Sequence, residues 1–225
     1  LRASLQTVLF DPVDRDAIYV LMPGDLGFYR SPDRGRSWHL VYPPASAVER
    51  VAHIDDEAEA RLVTRPAGGE WPPIRAIATA SSRGVFYAVR GSSLEISQDG
   101  GARWRKLAPV AGKPIRGTGH SLFVLDRAPV LAAVEADTVE FWDGGPSTRA
   151  SAPPGVTRIL EAAAGSGSLY LLTEPAGLWV TRDRGRSWVN LPAGLTALSF
   201  RGKTLAELRG LAASARQGNH LYISY

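Results

Sequence analysis

The sequence predicts an all-β fold of repeated four-stranded antiparallel sheets, and three observations predict it. Short runs rich in β-branched and aromatic residues alternate with Asp, Pro and Gly turns along most of the 225 residues, the pattern of strands joined by hairpins. One octapeptide, hydroxyl-x-Asp-x-Gly-x-x-Trp, occurs three times, at Ser31 to Trp38, Ser97 to Trp104 and Thr181 to Trp188. The turn aspartates Asp33, Asp99, Asp143 and Asp183 stand 66, 44 and 40 residues apart. The last two steps match the roughly 40 to 45 residues of a common β-propeller blade. The expected fold class is therefore a β-propeller of four-stranded antiparallel blades, four of them recognisable and a fifth partial.

The first unit, about 5–44, reads LQTVLFDP, AIYVL, GFYRS and WHLVY, with the octapeptide in its last hairpin and Pro43-Pro44 as the stop. Residues 45–73 read as an insertion holding two candidate strands, ERVAHI and ARLVTR, around the acidic run Asp55-Asp56-Glu57-Ala58-Glu59. An extra hairpin fits this stretch better than a decayed blade, which would need four strands. The second unit, 74–109, repeats the order of the first as IRAIATA, VFYAV, LEISQD and WRKLAP. The third, 115–154, reads LFVLD, VLAAVE and TVEFWDGG; its Trp142-Asp143-Gly144-Gly145 is a degenerate copy of the turn that lacks the downstream tryptophan. The fourth, 156–194, reads VTRILEA, LYLLT, GLWVTRD and WVNLP with the octapeptide intact.

Residues 205–225 resemble the first two strands of a further blade, LAELRGLAAS and HLYISY, joined through Gln217-Gly218-Asn219. A closed propeller must seal its first blade to its last, since an unpaired edge is an aggregation liability. The expectation is one propeller domain over 1–225 that is an excerpt from a larger ring or an incomplete ring.

The octapeptide's composition has a structural explanation. Gly35, Gly101 and Gly185 supply the positive φ that a tight hairpin needs. Asp33, Asp99 and Asp183 can accept hydrogen bonds from backbone N–H groups that the turn leaves unpaired, with Ser31, Ser97 and Thr181 adding a hydroxyl. Trp38, Trp104 and Trp188 bring a large ring with an N–H handle. A calcium or catalytic role for the aspartates is disfavoured. They sit in equivalent places of separate repeats, whereas glycosidase carboxylates must come within roughly 5 to 9.5 Å of each other and calcium takes six to eight oxygens.

With these residues in view, S/T-x-D-x-G-x-x-W resembles the Asp-box, or BNR repeat, of β-propellers in sialidases, sortilin-type receptors, xyloglucan hydrolases and photosystem II assembly factors. The resemblance covers about Leu5 to Pro192. It implies boxes between third and fourth strands at the periphery, away from the central site, and an extracytoplasmic location, secreted or periplasmic. A sialidase would also require three arginines on a carboxylate, a tyrosine nucleophile with its glutamate, an aspartate acid and an Arg-Ile-Pro motif; Pro72-Pro73-Ile74-Arg75 is a scrambled echo of the last.

Other chemistry is sparse in the sequence. The excess of 26 basic over 22 acidic residues is modest and spread along the chain, unlike the clustered charge of a nucleic-acid binder. The absence of cysteine removes disulfides, thiolate metal sites and a cysteine nucleophile. No apolar run approaches the roughly 20 residues of a membrane helix. His39, His53, His120 and His220 lack metal-ligand spacing, no G-x-S-x-G elbow occurs, and Gly117-Thr118-Gly119-His120 reads as a turn. The strand aromatics Tyr19, Phe28, Tyr29, Phe86, Tyr87, Phe141, Tyr170 and Trp179 read as core between blades. Trp71, in a Gly-Gly-Glu-Trp-Pro-Pro loop, reads either as a plug over the insertion or as part of a contact surface with Asp55, Asp56 and Glu57. The expected function is a non-enzymatic interaction module for a protein or glycan partner, without metal or cofactor. The alternative is part of a carbohydrate-active enzyme whose remaining blades lie outside the chain.

Overall fold

In a computed structural model, the described residues are 7–22, 26–54, 59–64, 71–109, 122–125, 130–134, 138–165, 167–175, 177–191, 210–213 and 221–224. Among them no α-helix occurs. The chain divides into two compact units, Leu1–Gly112 and Lys113–Tyr225.

The first unit holds two four-stranded antiparallel blades. Blade 1 is β1 (Thr7–Phe10), β2 (Ile18–Leu21), β3 (Phe28–Ser31) and β4 (His39–Tyr42), paired in chain order. A two-stranded antiparallel sheet follows, β5 (Val48–Ile54) with β6 (Glu59–Thr64). Blade 2 is β7 (Ile74–Thr79), β8 (Phe86–Arg90), β9 (Ser93–Ser97) and β10 (Arg105–Pro109), again in order. Strand alternation gives each sheet two faces. The face of blade 1 that carries Tyr19, Leu21 and Phe28 meets the face of blade 2 that carries Ile77, Phe86 and Ala88, and all six are buried. Tyr19 stacks on Phe28 with centroids 5.6 Å apart and meets the Phe86 ring edge-on at 4.6 Å. Such offset and T-shaped pairs add to the area these rings bury.

Polar loops lock the same two blades together. Asp11, in the β1–β2 loop and 6% exposed, accepts Val13 N–H at 2.9 Å and Asp14 N–H at 2.8 Å on one carboxylate oxygen. Its other oxygen accepts Gly84 N–H, from the β7–β8 loop of blade 2, at 2.9 Å. Burial on its own would raise the Asp11 pKa; the Asp14, Val13 and Gly84 N–H donors outweigh it and the net direction is downward. Asp14 adds a 2.8 Å ion pair with Arg83.

The second unit repeats the plan. Blade 3 is β11 (Leu122–Val124), β12 (Leu131–Val134), β13 (Thr138–Trp142) and β14 (Thr148–Ser151), and blade 4 is β15 (Arg158–Gly165), β16 (Ser168–Glu174), β17 (Gly177–Thr181) and β18 (Val189–Asn190). Ala132, Val134, Val139, Phe141 and Ala150 of blade 3 pack with Ala162, Leu169 and Leu171 of blade 4. A two-stranded sheet, β19 (Gly210–Ala213) with β20 (Leu221–Ser224), completes the described elements.

Two features of blade 3 differ from the sequence reading. Its fourth strand is Thr148–Ser151, a polar segment that the hydrophobic pattern did not mark. Its turn also sits one residue off the expected alignment. Ser31, Ser97 and Thr181 pair with Ile18, Phe86 and Leu169, at the starts of the second strands. In blade 3 the residue so placed is Trp142, opposite Leu131, which puts Asp143 one position early. The ladder partners Phe141 and Thr148 are joined by six residues, against eight between Arg30 and His39, so the shorter loop has no room for a box.

Candidate functional site

The three octapeptides close the hairpins between third and fourth strands, and each is a small hydrogen-bonded cage. In the first, Ser31 Oγ accepts Gly35 N–H at 2.7 Å and Asp33 N–H at 3.3 Å while donating to Asp33 Oδ1 at 2.8 Å. Asp33 Oδ1 also accepts Ser37 N–H at 2.8 Å, and Oδ2 accepts the Ser37 hydroxyl at 2.6 Å. The third box repeats this through Thr181, Asp183, Gly185 and Ser187, with distances between 2.5 and 3.4 Å. The second keeps the Ser97, Asp99 and Gly101 bonds and the Arg103 N–H, with the Arg103 side chain 3.6 Å from Asp99 Oδ2 in place of a hydroxyl. The side chains thus hold N–H groups that have no strand partner in the turn.

The backbone explains the composition further. Gly35, Gly101 and Gly185 have φ of 89°, 97° and 75°, and the residue before each is also left-handed: Arg34 at 60°, Gly100 at 78° and Arg184 at 61°. A non-glycine residue there is uncommon and must be held by its surroundings. Arg34 donates its N–H to the Asp16 carbonyl at 2.9 Å and its Nε to the Asp16 carboxylate at 2.6 Å, and Arg184 pairs with Asp143 of blade 3.

Two of the three glycines, Gly101 and Gly185, do a second job that turn chemistry alone does not announce. A Cβ on Gly101 would stand 2.7 Å from Phe28 Cε1 of blade 1, and one on Gly185 would stand 2.5 Å from Ala150 Cβ and 3.1 Å from Phe141 Cε2 of blade 3. Each glycine is therefore where the preceding blade's sheet presses on the box. Trp104 and Trp188 share that contact, packing on the inter-blade cores, and Trp188 Nε1 reaches back to the Ser151 carbonyl at 3.2 Å. Trp38 covers its own Gly35, as Trp188 covers Gly185, and is 42% exposed.

Electrostatically the box aspartates are committed to their turns. The Ser37 hydroxyl, then the Ser37 N–H, hold Asp33 at about 2 against an ordinary 3.8, and Ser187 does the same for Asp183, also at about 2. Carboxylates so depressed are poor proton donors or acceptors near neutral pH. Among the described residues no three His, Asp or Glu side chains gather as a metal site.

Trp71 lies against Tyr42, rings T-shaped at 5.7 Å, with its indole N–H buried and unpartnered. Asp55, Asp56 and Glu57 lie outside the described residues, as do His120 and His220. Of the strand aromatics, Tyr19, Phe28, Phe86, Tyr87, Phe141 and Tyr170 are buried, while Tyr29 and Trp179 are half-buried.

Beside Trp71 is a polar cluster that the sequence reading missed. Arg90 and Glu95, both buried on adjacent strands of blade 2, form an ion pair. Arg90 also donates to Tyr42 Oη of blade 1 at 2.6 Å and stands 4.4 Å from that ring's centre. Ser93 Oγ donates to the second Glu95 oxygen at 2.7 Å, and Tyr42 Oη donates to the Pro72 carbonyl at 3.0 Å. Burial pushes the Tyr42 phenol up from its ordinary value. The R-x-x-S-x-E spacing across the β8–β9 hairpin was the available signal. Nothing in that spacing announces burial; Tyr42, 48 residues away, and the Trp104 ring, 5.5 Å from the Arg90 guanidinium, complete the buried network.

No protein-family profile matches the chain, and no curated protein is similar to it in sequence. Solved structures do resemble it. A nidogen/laminin complex aligns with a TM-score of 0.60 and 14% identity, over 98% of this chain and 72% of that one. YCF48 bound to a D1 peptide aligns at 0.54 and 14%, over 98% and 60%. An ancestral GH74 enzyme aligns at 0.53 and 16%, over 98% and 34%. At these identities the likeness concerns the fold, and the fold is a β-propeller of four-stranded antiparallel blades. The chain spans 60% of the YCF48 chain and 34% of the GH74 enzyme.

Proposed function

We propose that this chain is a non-enzymatic interaction module of the Asp-box type, a propeller segment that presents a surface to a protein partner. The observation that carries the proposal is the fate of the repeated carboxylates. Asp33, Asp99 and Asp183 each spend their acceptors on their own turn, as a scaffold motif should and a catalytic one should not. Two of the similar structures are a YCF48 bound to a D1 peptide and a nidogen/laminin complex, which supports a protein over a small-molecule ligand by analogy of fold.

The contact surface we assign is the 45–73 insertion, with Trp71 as its anchor beside Tyr42; the acidic residues Asp55, Asp56 and Glu57 of the same stretch suit a basic partner. Interfaces of this kind combine a buried aromatic with polar surroundings. We place the protein outside the cytoplasm, in keeping with the Asp-box resemblance.

A second reading is favoured by the GH74 enzyme among the similar structures: one portion of a carbohydrate-active enzyme. A fluorogenic glycoside panel and a glycan array separate the two. Hydrolysis by the 225-residue chain, removed by a point change at one carboxylate, overturns the module. Glycan capture without hydrolysis keeps the module but changes its ligand. Silence on both, with a partner cross-linked through a photoreactive residue at position 71, supports the protein-binding reading.

A further inference from the structure

Each box tryptophan commits its indole N–H to a backbone carbonyl: Trp38 to Gly35 at 3.1 Å, Trp104 to Gly101 at 2.8 Å and Trp188 to Ser151 at 3.2 Å. Trp71 does not. Its ring is half-buried on a loop, and its Nε1 is buried with no acceptor among the described residues. Trp142 shares the unpaired N–H, but it sits within strand β13 with 4% of its surface exposed and presents nothing to a partner. A buried donor without an acceptor has given up its bonds to water without replacement, and folded proteins seldom leave one so.

The acceptors around Trp71 are already engaged. Arg90, 8% exposed, donates to Glu95 and to Tyr42 Oη and keeps a buried Nε that has no partner among the described residues. Ser93 Oγ donates to the second Glu95 oxygen at 2.7 Å, and Tyr42 Oη donates to the Pro72 carbonyl at 3.0 Å. Two unpaired donors therefore belong to side chains packed on one ring, with the Arg90 guanidinium 4.4 Å from the centre of Tyr42 and Trp71 T-shaped to it at 5.7 Å. An occupant has to bring lone pairs. Because Arg90 and Glu95 cancel each other's charge, a carboxylate gains little here, and a neutral carbonyl oxygen is the better match.

We infer that Trp71 donates its indole N–H to a peptide carbonyl of the partner, and that Tyr42 is the residue that positions it. This rests on the assignment of Trp71 to the contact surface. Tyr42 fixes the backbone next to the tryptophan through the Pro72 carbonyl. Pro72 also rests on the β8–β9 turn, where a Cβ on Gly91 would lie 3.7 Å from Pro72 Cβ. The chain at 72 is thus tied to both blades of the first unit, while the indole is held by packing alone and can turn its N–H to an incoming acceptor.

The test is a titration of the isotope-labelled chain with N,N-dimethylacetamide, a carbonyl acceptor that carries no donor, read by NMR on the six indole N–H signals. Trp71→Phe identifies the Trp71 signal, and acetate is titrated in parallel. The expected result is a saturable downfield shift of the Trp71 proton, at least about tenfold tighter than at the box tryptophans or with acetate. In Tyr42→Phe, which keeps the ring and loses the tether, the Trp71 N–H should exchange with solvent faster and lose that preference while the box signals stay in place. The inference is overturned by a Trp71 signal that responds no more than Trp38, by acetate acting as strongly as the amide, by a bound water found on the Trp71 N–H, or by an unchanged response in Tyr42→Phe. If Tyr42→Phe does not fold, Arg90→Lys takes its place, withdrawing the guanidinium from Tyr42 while keeping a charge beside Glu95. The titration needs no partner, so it stands apart from cross-linking at position 71. A partner captured there with no amide response sinks this inference alone; an amide response with no partner captured sinks the proposed contact surface and leaves the donor site intact.

Discussion

Replacing Gly101 by alanine separates the two duties that a box glycine performs. The backbone duty is shared with Gly35, since both have φ near 90°. Placing alanine there costs roughly 1 to 2 kcal/mol in the left-handed region, partly offset by about 0.4 to 1 kcal/mol because alanine also restricts the unfolded chain. Gly35→Ala is therefore expected to lose about 1 kcal/mol. The second duty belongs to Gly101 alone of the two. The new Cβ would lie 2.7 Å and 2.9 Å from the Phe28 ring and 3.4 Å from Val41, while a Cβ on Gly35 meets nothing closer than 3.7 Å. Phe28 cannot swing aside, because it is fully buried and held by Tyr19 and Phe86 at centroid distances of 5.6 and 5.5 Å. Overpacking of this kind costs about 1 to 3 kcal/mol, so Gly101→Ala should lose about 2 to 4 kcal/mol in total. Both sites lie in the first unit, which makes the comparison fair. Urea unfolding followed by circular dichroism and tryptophan fluorescence gives the two losses. Equal losses would refute the claim that the box glycine is an inter-blade contact.

Asp99→Ala should lower stability by about 1 to 2 kcal/mol, as for a lost cap or turn bond, with partner binding by the folded fraction unchanged; intact stability with abolished binding would contradict the structural role. Asp33 and Asp183 should titrate at about 2 in carbon-detected NMR. Because their folded values are depressed, the stability they contribute is fully present above 3.8 and is lost as pH falls through about 2; midpoints near the ordinary value would show that the Ser37 and Ser187 bonds do not form in solution. Arg90→Ala strands Glu95 in the interior and should cost about 3 to 5 kcal/mol, whereas Arg90→Met with Glu95→Leu should be close to neutral. A loss under about 1 kcal/mol for the single change would mean that the pair is solvated.

The hairpins and the boxes were legible because they are local. A strand announces itself by alternation, and the hydroxyl, Asp, Gly and Trp of a turn lie within eight residues of one another. What escaped the sequence is non-local. That Gly101 faces Phe28 depends on residues 73 positions apart, and the Arg90, Glu95 and Tyr42 cluster needs two blades to be docked before it exists. Thr148–Ser151 was missed because an outer strand with three of its four residues exposed carries no apolar signature. Trp142 misled in the opposite way. Its Asp-Gly-Gly sequel imitates a box, yet the ladder sets register by pairing and not by resemblance. At the proposed contact surface, Trp71 was conspicuous as a loop tryptophan, but its edge-on pairing with Tyr42 could not be read without the fold.

The placement of the box glycine has a consequence for how such a chain can grow. The joint between blades 1 and 2 takes one half from each, an aromatic-bearing sheet face from blade 1 and a glycine-centred turn from blade 2. A blade with both halves can be copied, inserted or removed without redesigning its neighbours, much as identical couplings let wagons be added to a train. A substitution that fills the glycine is then felt at the junction before the altered turn. Selection on the turn in one blade is therefore also selection on the blade that came before it.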